Sequence, residues 1–599
     1  MSMSDYPLYE FDRSDPNLDG VERGLYDEIS AEEPWDLVEE FSRLERVSGS
    51  EDEKRAAEYL VERLDALGVS HERYDPELWI SIPNDASLRT VAPEGESFES
   101  AKTVSFSADE TITGEVVHVE GDGPQDVDEV LQGALDSVDV DVEGKIVAME
   151  GLLPIEAVSQ LEDEGAIGFV GVHPHETEPH EGIATPVWGG IPAPGEEDRV
   201  PDVPIVNLSK RDGERLLGLL EDGSVEVELT ADVTTDWFEC PVVVADVPGK
   251  ADPEDDDFVL LHGHYDSWHF GVTDNATGDA GLLECARVFN EFSEDLSRDL
   301  RVAWWPAHST GRYGGSTWFA DEFANELAEN CVAQVDMDSP GTEDATEFEY
   351  MVEWMPEAND LAKGAIADVC GKEATETRPA RAGDYSFNNL GVTGVYMLSS
   401  NIPRAVQEER GYHPVGGCGG NSNAWHLTTD TLDTADPDVL VRDIRVYAIT
   451  VARLLRETVV PLDHERNVRR HREIIDEYDA AAGDHFDLEP VDEELAALEE
   501  RVAAFYNAVD QGDVDPATAN DVVLRLSRRL TRLNFCTEGQ FEHDPATDRP
   551  PYPGLEPAAD LPERSGDAYG FLKTDLRRKR SAAINELRRA RATVEQALD

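Results

Sequence analysis

The spacing of apolar residues changes along this chain and divides it into four stretches. In SGSEDEKRAAEYLVERLDALG (48–68), Ala57, Leu60, Val61, Leu64 and Leu67 recur three or four residues apart, which predicts one face of a helix. Ser50 and Glu53 predict a capping box at its start, and Gly68 its stop. Between about 101 and 237 the apolar runs shorten to GEVVHVEG, GKIVAMEG, AIGFVGV and VPIVNLS. Such runs between turns predict a mostly β region with one or two helices. From 238 to 458, DFVLLHG, RVAWWP, CVAQVD and TGVYMLS alternate with helical stretches and predict the strands of an α/β sheet. Beyond 459 the pattern is helical, with stripes at Leu495, Leu498, Val502, Phe505 and Val509, then at Val523, Leu526, Leu530 and Leu533. A proline-rich stretch (548–562) separates these from a last arginine-rich helix containing LRRKR.

Composition changes this picture in one respect. Of 599 residues 40% are hydrophobic, enough for several cores, yet 129 Asp and Glu face 49 Lys and Arg, a net charge of −80. Lysine supplies only nine of those cations. A surface so acidic predicts reliance on salt to screen its carboxylates, hence a salt-accumulating cytoplasm. It also argues against nucleic acid or an anionic membrane as partner, so LRRKR is expected to pair within the chain. Six cysteines without a C-x-x-C pair predict neither a disulfide framework nor a thiolate zinc site. Residues 1–15 are acidic, with no basic start, and no run is long enough to span a bilayer, so a soluble cytoplasmic protein is expected.

Candidate chemistry gathers in VLLHGHYDSWHFGVTDNATGDAGLLE (259–284). His264 and Asp266 follow an apolar run at the carboxyl end of a strand, where open α/β sheets hold their ligands. Asp274 lies in a polar turn before a helix, Asp336 ends CVAQVD, and His426 follows a glycine-rich stretch. Together, His264, Asp274, Asp336 and His426 predict a site for zinc or a similar ion, with Asp266 as the partner orienting His264. Trp425, Tyr385 and Arg381 are candidates to line a substrate cleft. HPHETEPH (His173, His175, His180) could grip a metal, but a solvated loop is the expected state.

The stretches GHYDSWHFGVTDNATG, GGSTWFAD, VDMDS and WHLTTDT resemble the motifs of the twenty-eighth metallopeptidase family. These are co-catalytic di-zinc exopeptidases, including bacterial aminopeptidases, glutamate carboxypeptidase and the transferrin receptor. GKIVAMEG, EDEGAIGFVGV and VPIVNLSKRDGERL are similar to protease-associated domains. The resemblance implies an α/β zinc-exopeptidase fold, a phosphorylase/hydrolase-like mixed-sheet sandwich split between 1–100 and 238–458. It implies an inserted protease-associated domain at 101–237 and a C-terminal helical domain at 459–599 that forms a homodimer. It further implies two zinc ions per chain: Asp274 bridging, His264 and Asp336 completing the first site, His426 holding the second, and Asp266 supporting His264. The implied substrates are short peptides or N-acyl amino acids.

One motif departs from the family. Where members carry a Glu-Glu pair, the first a general base and the second a metal ligand, this chain has His308-Ser309, and the bend to Gly315-Ser316 reads one residue longer. Three readings are open. His308 ligates the second metal, which is favoured because imidazole is a better zinc donor than serine. Alternatively His308 is the base. In the third reading the site is degenerate and the protein is a silent, dimeric binding homologue.

Overall fold

Two mixed sheets and a helical C-terminal region are seen in the computed structural model, which describes residues 16–599 except 94, 120–139, 152–154, 251–255, 414–416 and 548. The acidic start at 1–15 and the end of GEVVHVEG therefore lie outside the described residues. The first sheet has seven strands in the order Ser70–Tyr74, Val242–Val247, Asp299–Trp305, Phe258–His264, Cys331–Asp336, Thr393–Met397, Glu353–Trp354. The four from Asp299–Trp305 to Thr393–Met397 run parallel, and each strand outside them pairs antiparallel with its inner neighbour.

Strand Phe258–His264 is buried along its whole length. Val259 and Leu261 face a core shared with the helix Thr277–Glu291, while Phe258 and Leu260 pack with Trp305 and Phe319 on the other face. Both faces being covered, the strand reads as one continuous apolar run rather than an alternation. The early helix is Glu51–Leu67: Ser50 Oγ accepts from the Glu53 amide at 3.1 Å, and Gly68 ends it at φ 70°. The reciprocal half of the capping box is displaced, since the Glu53 carboxylate takes the Gly49 amide at 2.8 Å instead of that of Ser50.

The second sheet has eight strands and begins at Glu77, ahead of the expected boundary at 101. Its longest strands, Glu77–Ala92 and Glu226–Glu239, pair antiparallel and carry the chain out of the first sheet and back. The short runs form Glu110–His118, Ile146–Glu150, Gly168–Val172 and Ile205–Leu208, with helices at Ile155–Asp163 and Lys210–Asp222.

In the C-terminal region Leu495, Leu498, Val502 and Phe505 are fully buried, as are Val523, Leu526 and Leu530, while Val509 and Leu533 are only partly covered. The final helix, Gly566–Leu598, packs on Glu489–Gln511 and Pro516–Phe535. Three of its arginines bind within the chain: Arg588 and Arg591 reach Glu494 at 2.7 and 3.0 Å, and Arg580 of LRRKR donates to the Asp487 carbonyl. One apolar core runs from Leu25 through the first sheet to Val594, so the helices share the core of the sheet. Among the described residues no helix is long and apolar enough to cross a membrane.

Where the helices meet the sheet, Glu357 is buried with its carboxylate 2.8 Å from Thr393 Oγ1. Burial raises its pKa from an ordinary 4.5 to about 7, against the pull of its hydrogen bonds. The sign follows from proton linkage: a raised acid favours the fold fully below the unfolded pKa and loses that contribution as pH rises through 7. The loss amounts to about 3 kcal/mol. Glu357→Gln should therefore gain about that much relative to the parent between pH 5 and pH 8, read by urea denaturation. A difference that does not change with pH would contradict this.

Candidate metal centre

His264 ends its strand with Nδ1 donating to the carbonyl of Asp266 at 3.0 Å, which turns Nε2 towards the neighbouring acids. That Nε2 lies 3.2 Å from Asp274 Oδ1 and 3.9 Å from Asp338 Oδ2, is buried, and has no hydrogen-bond partner. The other oxygen of Asp274 lies 3.2 Å from Nε2 of His426, whose Nδ1 donates to the carbonyl of Glu181 at 3.2 Å. One carboxylate thus stands between two imidazoles, each with its other nitrogen tied to a backbone carbonyl. Burial alone would raise the Asp274 pKa, but His264 and His426 hold it well below the usual carboxylate range. Among the described residues, His264, Asp274 and Asp338 are the one group of three potential ligands whose atoms all lie within 4.8 Å of one another. Oriented imidazoles and carboxylates brought this close together are the donor types that zinc takes.

Side chains that bind backbone, none of them evident from the apolar pattern, hold the turn around Asp274. The Asp430 carboxylate accepts the amides of Thr273 and Asp274 at 3.0 Å and the hydroxyls of Thr273 and Thr434 at 2.8 Å. Asn275 staples three loops: it donates to the carbonyls of His264 and Met337 and accepts the Ser339 amide. The buried guanidinium of Arg46 donates to the carbonyls of Phe41, Tyr265, Phe270 and Gly271. Asp430 and Asn275 lie inside WHLTTDT and DNATG, where a polar residue next to a ligand was the available signal; Arg46 offers none.

The structure departs from expectation at Asp336. The acid in the cluster is Asp338; Asp336 lies two residues earlier, still in the strand, with Oδ1 3.4 Å from His262 Nδ1. His262 is neutral, lowered to about 4 by burial, and its Nδ1 accepts from Trp305 Nε1. Burial, together with Asp384 and Asp338, raises the Asp336 pKa well above the usual range. Residues two apart share a side of an extended chain, so the apolar run before them did not separate the two acids.

The Asp266 carboxylate, 3.7 Å from His264 Nδ1, also supports a second loop. Its oxygens accept the amides of His308 and Ser309 at 3.0 Å and the hydroxyl of Ser48 at 3.0 Å, while its backbone carbonyl orients His264. It therefore fixes the loop that carries the departure from the family pattern. On that loop, His308 Nδ1 lies 2.8 Å from Asp384 Oδ2, and Ser316 Oγ donates to the other oxygen at 2.6 Å. Burial would raise the Asp384 pKa, but His308, His264 and Ser316 outweigh it and keep the acid ionised. With Asp384 as acceptor, His308 Nδ1 donates, and Nε2 is the nitrogen left for other partners. The ring lies parallel to that of His264, 3.8 Å away at 16°.

A cavity of about 320 Å³ opens over these groups, lined by Asp274, His308, Ser309, Asp338, Trp425 and His426. Tyr385 lines it too, its ring centre 3.7 Å from that of Tyr396 with the planes tilted by 49°. The facing wall, with Val104, Ile155, Val158, Ile183 and Ile205, comes from the region of the second sheet. Arg381 does not line this cavity. Its guanidinium sits 4.2 Å from the ring of Trp188 and donates to the carbonyls of Asp544 and Pro545, bracing the C-terminal region. HPHETEPH also differs from expectation, for His173 and His180 are 1% and 5% exposed. Docking of the second-sheet region on the first buries them, which local composition does not reveal.

Residues 242–450 match the model of peptidase family M28. A probable leucine aminopeptidase 2 of Aspergillus oryzae is 26% identical over 297 residues, 49% of this chain and 54% of that protein. A glutamate carboxypeptidase 2 homolog of Caenorhabditis elegans is 34% identical over 100 residues, 16% of this chain and 13% of that one. The chain thus spans about half, or less, of the length of these curated relatives. Among solved structures, an aminopeptidase from Aneurinibacillus sp. strain AM-1 superposes with a TM-score of 0.55 at 19% identity, over 74% of this chain and 98% of that one. BSAP, a zinc aminopeptidase from Bacillus subtilis, gives 0.53 at 17% identity, over 72% and 98%. Those likenesses show the fold. The match to peptidase family M28 at residues 242–450 covers His264, Asp274, Asp338 and His426 together.

Proposed function

We propose that the chain is a two-zinc exopeptidase that hydrolyses short peptides or N-acyl amino acids. The observation that carries this reading is the carboxylate of Asp274, with one oxygen 3.2 Å from His264 Nε2 and the other 3.2 Å from His426 Nε2. Only a carboxylate offers two oxygens to span two ions. His264, Asp274 and Asp338 would hold the first zinc, and Asp274 and His426 the second. Bound there, the ions would polarise the scissile carbonyl and acidify water.

Of the readings open for His308, its geometry supports the base. Nδ1 is engaged by Asp384, so Nε2, at the cavity wall, is free to take the proton of the attacking water. Asp384 keeps the ring in that tautomer and stabilises the imidazolium that forms. The apolar facing wall suits a substrate with an apolar side chain next to the cleaved bond. We read the second-sheet region as a protease-associated domain and the helical region as a homodimer contact, the latter supported by Phe571, 74% exposed on the last helix.

His308→Ala should lower kcat on aminoacyl anilides by about 10²–10⁴-fold, with zinc content unchanged. Asp384→Asn should lose activity in the same direction. Zinc lost in proportion to activity in His308→Ala would make His308 a ligand instead. A zinc-replete parent inert on aminoacyl and N-acyl substrates alike would contradict the enzyme reading.

A further inference from the structure

The second metal position is short of a donor. Asp274 and His426 face it, whereas zinc in hydrolytic sites takes three protein ligands and leaves one position open. Ser309 stands where the family places its ligand acid, and a hydroxyl is a poor zinc donor. His308, with Nδ1 on Asp384, is proposed as the base, so its Nε2 is reserved for the proton of the attacking water.

His180, from the region of the second sheet, lies beside this gap. Its ring centre is 4.4 Å from that of His426, with the planes 31° apart, and it lines the same cavity as Asp274. Neither of its nitrogens has a hydrogen-bond partner, although the residue is 5% exposed. Leaving a buried polar atom unsatisfied is costly, and ligation removes that cost. The backbone around it is locked to His426. His426 Nδ1 lies 3.2 Å from the Glu181 carbonyl, and the Glu181 amide donates to the His426 carbonyl at 3.5 Å. The Glu181 carboxylate is held in turn by Lys102 at 2.8 Å and His269 at 3.1 Å, and Asn207 donates to the His180 carbonyl.

Resting on the two-zinc reading, we propose that His180 is a ligand of the second zinc and takes the place of the glutamate missing at Ser309. The region of the second sheet then contributes to the active site itself. His173, stacked on the far side of His180 at 5.4 Å, serves as the control position.

The test is zinc content and affinity of the full chain, by elemental analysis and competition with a chromophoric chelator. The parent and His173→Ala should hold two zinc ions per chain. His180→Ala should hold one, with the second affinity reduced at least about 100-fold. His180→Asp, which restores a donor, should recover much of the second ion and decides the matter should the alanine variant fail to fold. Two zinc ions held at parental affinity by His180→Ala, or no recovery in His180→Asp, would overturn the role of His180 alone. A parent that holds fewer than two would overturn the two-zinc reading together with it.

Discussion

Asp274→Ala is expected to release both zinc ions and to abolish hydrolysis while the protein still folds. The residue sits in a turn whose backbone is fixed from outside: its own amide and that of Thr273 are held by Asp430, and the next residue, Asn275, binds two neighbouring loops. Removing the carboxylate therefore leaves the scaffold in place and takes away the one group that the two proposed zinc positions would share. His264 and Asp338 alone, or His426 alone, are too few for tight zinc binding. The rate should fall on the order of 10⁴-fold, since several kcal/mol of transition-state stabilisation is lost at about 1.4 kcal/mol per factor of ten. Zinc content near zero with an unchanged circular dichroism spectrum is the expected outcome. Two ions retained by Asp274→Ala would show that the carboxylate does not bridge.

Withdrawal of salt should have the other large effect. With 129 carboxylates against 49 Lys and Arg, 129 − 49 leaves 80 acids without a one-to-one partner. The Debye length is about 10 Å at 0.1 M salt and about 3 Å at 1 M, so neighbouring surface acids repel strongly only in dilute buffer. Self-repulsion on that scale opposes the compact state. The thermal midpoint should climb with KCl, by more than about 10 °C between roughly 0.1 M and about 3 M. An uncharged osmolyte at equal water activity should give a smaller gain, because it does not screen. A midpoint indifferent to KCl, or raised equally by the osmolyte, would contradict an electrostatic origin.

How far the sequence revealed this structure depended on whether a residue acts locally. DFVLLHG, RVAWWP, CVAQVD and TGVYMLS are strands because both faces of the sheet are covered, which makes each run apolar throughout. His264, Asp274 and His426 stood out because polar residues follow apolar runs or precede helices. Asp338 was missed in favour of Asp336 because two residues of the same side and type end one strand. Ser48, Arg46 and Asp430 act on loops more than 150 residues away in sequence, and no local pattern carries such a bond. His180 is buried only by the docking of one region on another, and Arg381 is bound to carbonyls of the C-terminal region. The strand Glu77–Ala92 belongs to the second sheet through pairing with a strand over 130 residues later, a contact invisible to periodicity.

Zinc-edge anomalous diffraction from crystals of the zinc-loaded chain would examine the bridge itself. The expected result is two peaks about 3.5–4 Å apart with the Asp274 carboxylate between them, one beside His264 and Asp338 and the other beside His426. A single peak, or two that do not share Asp274, would contradict it.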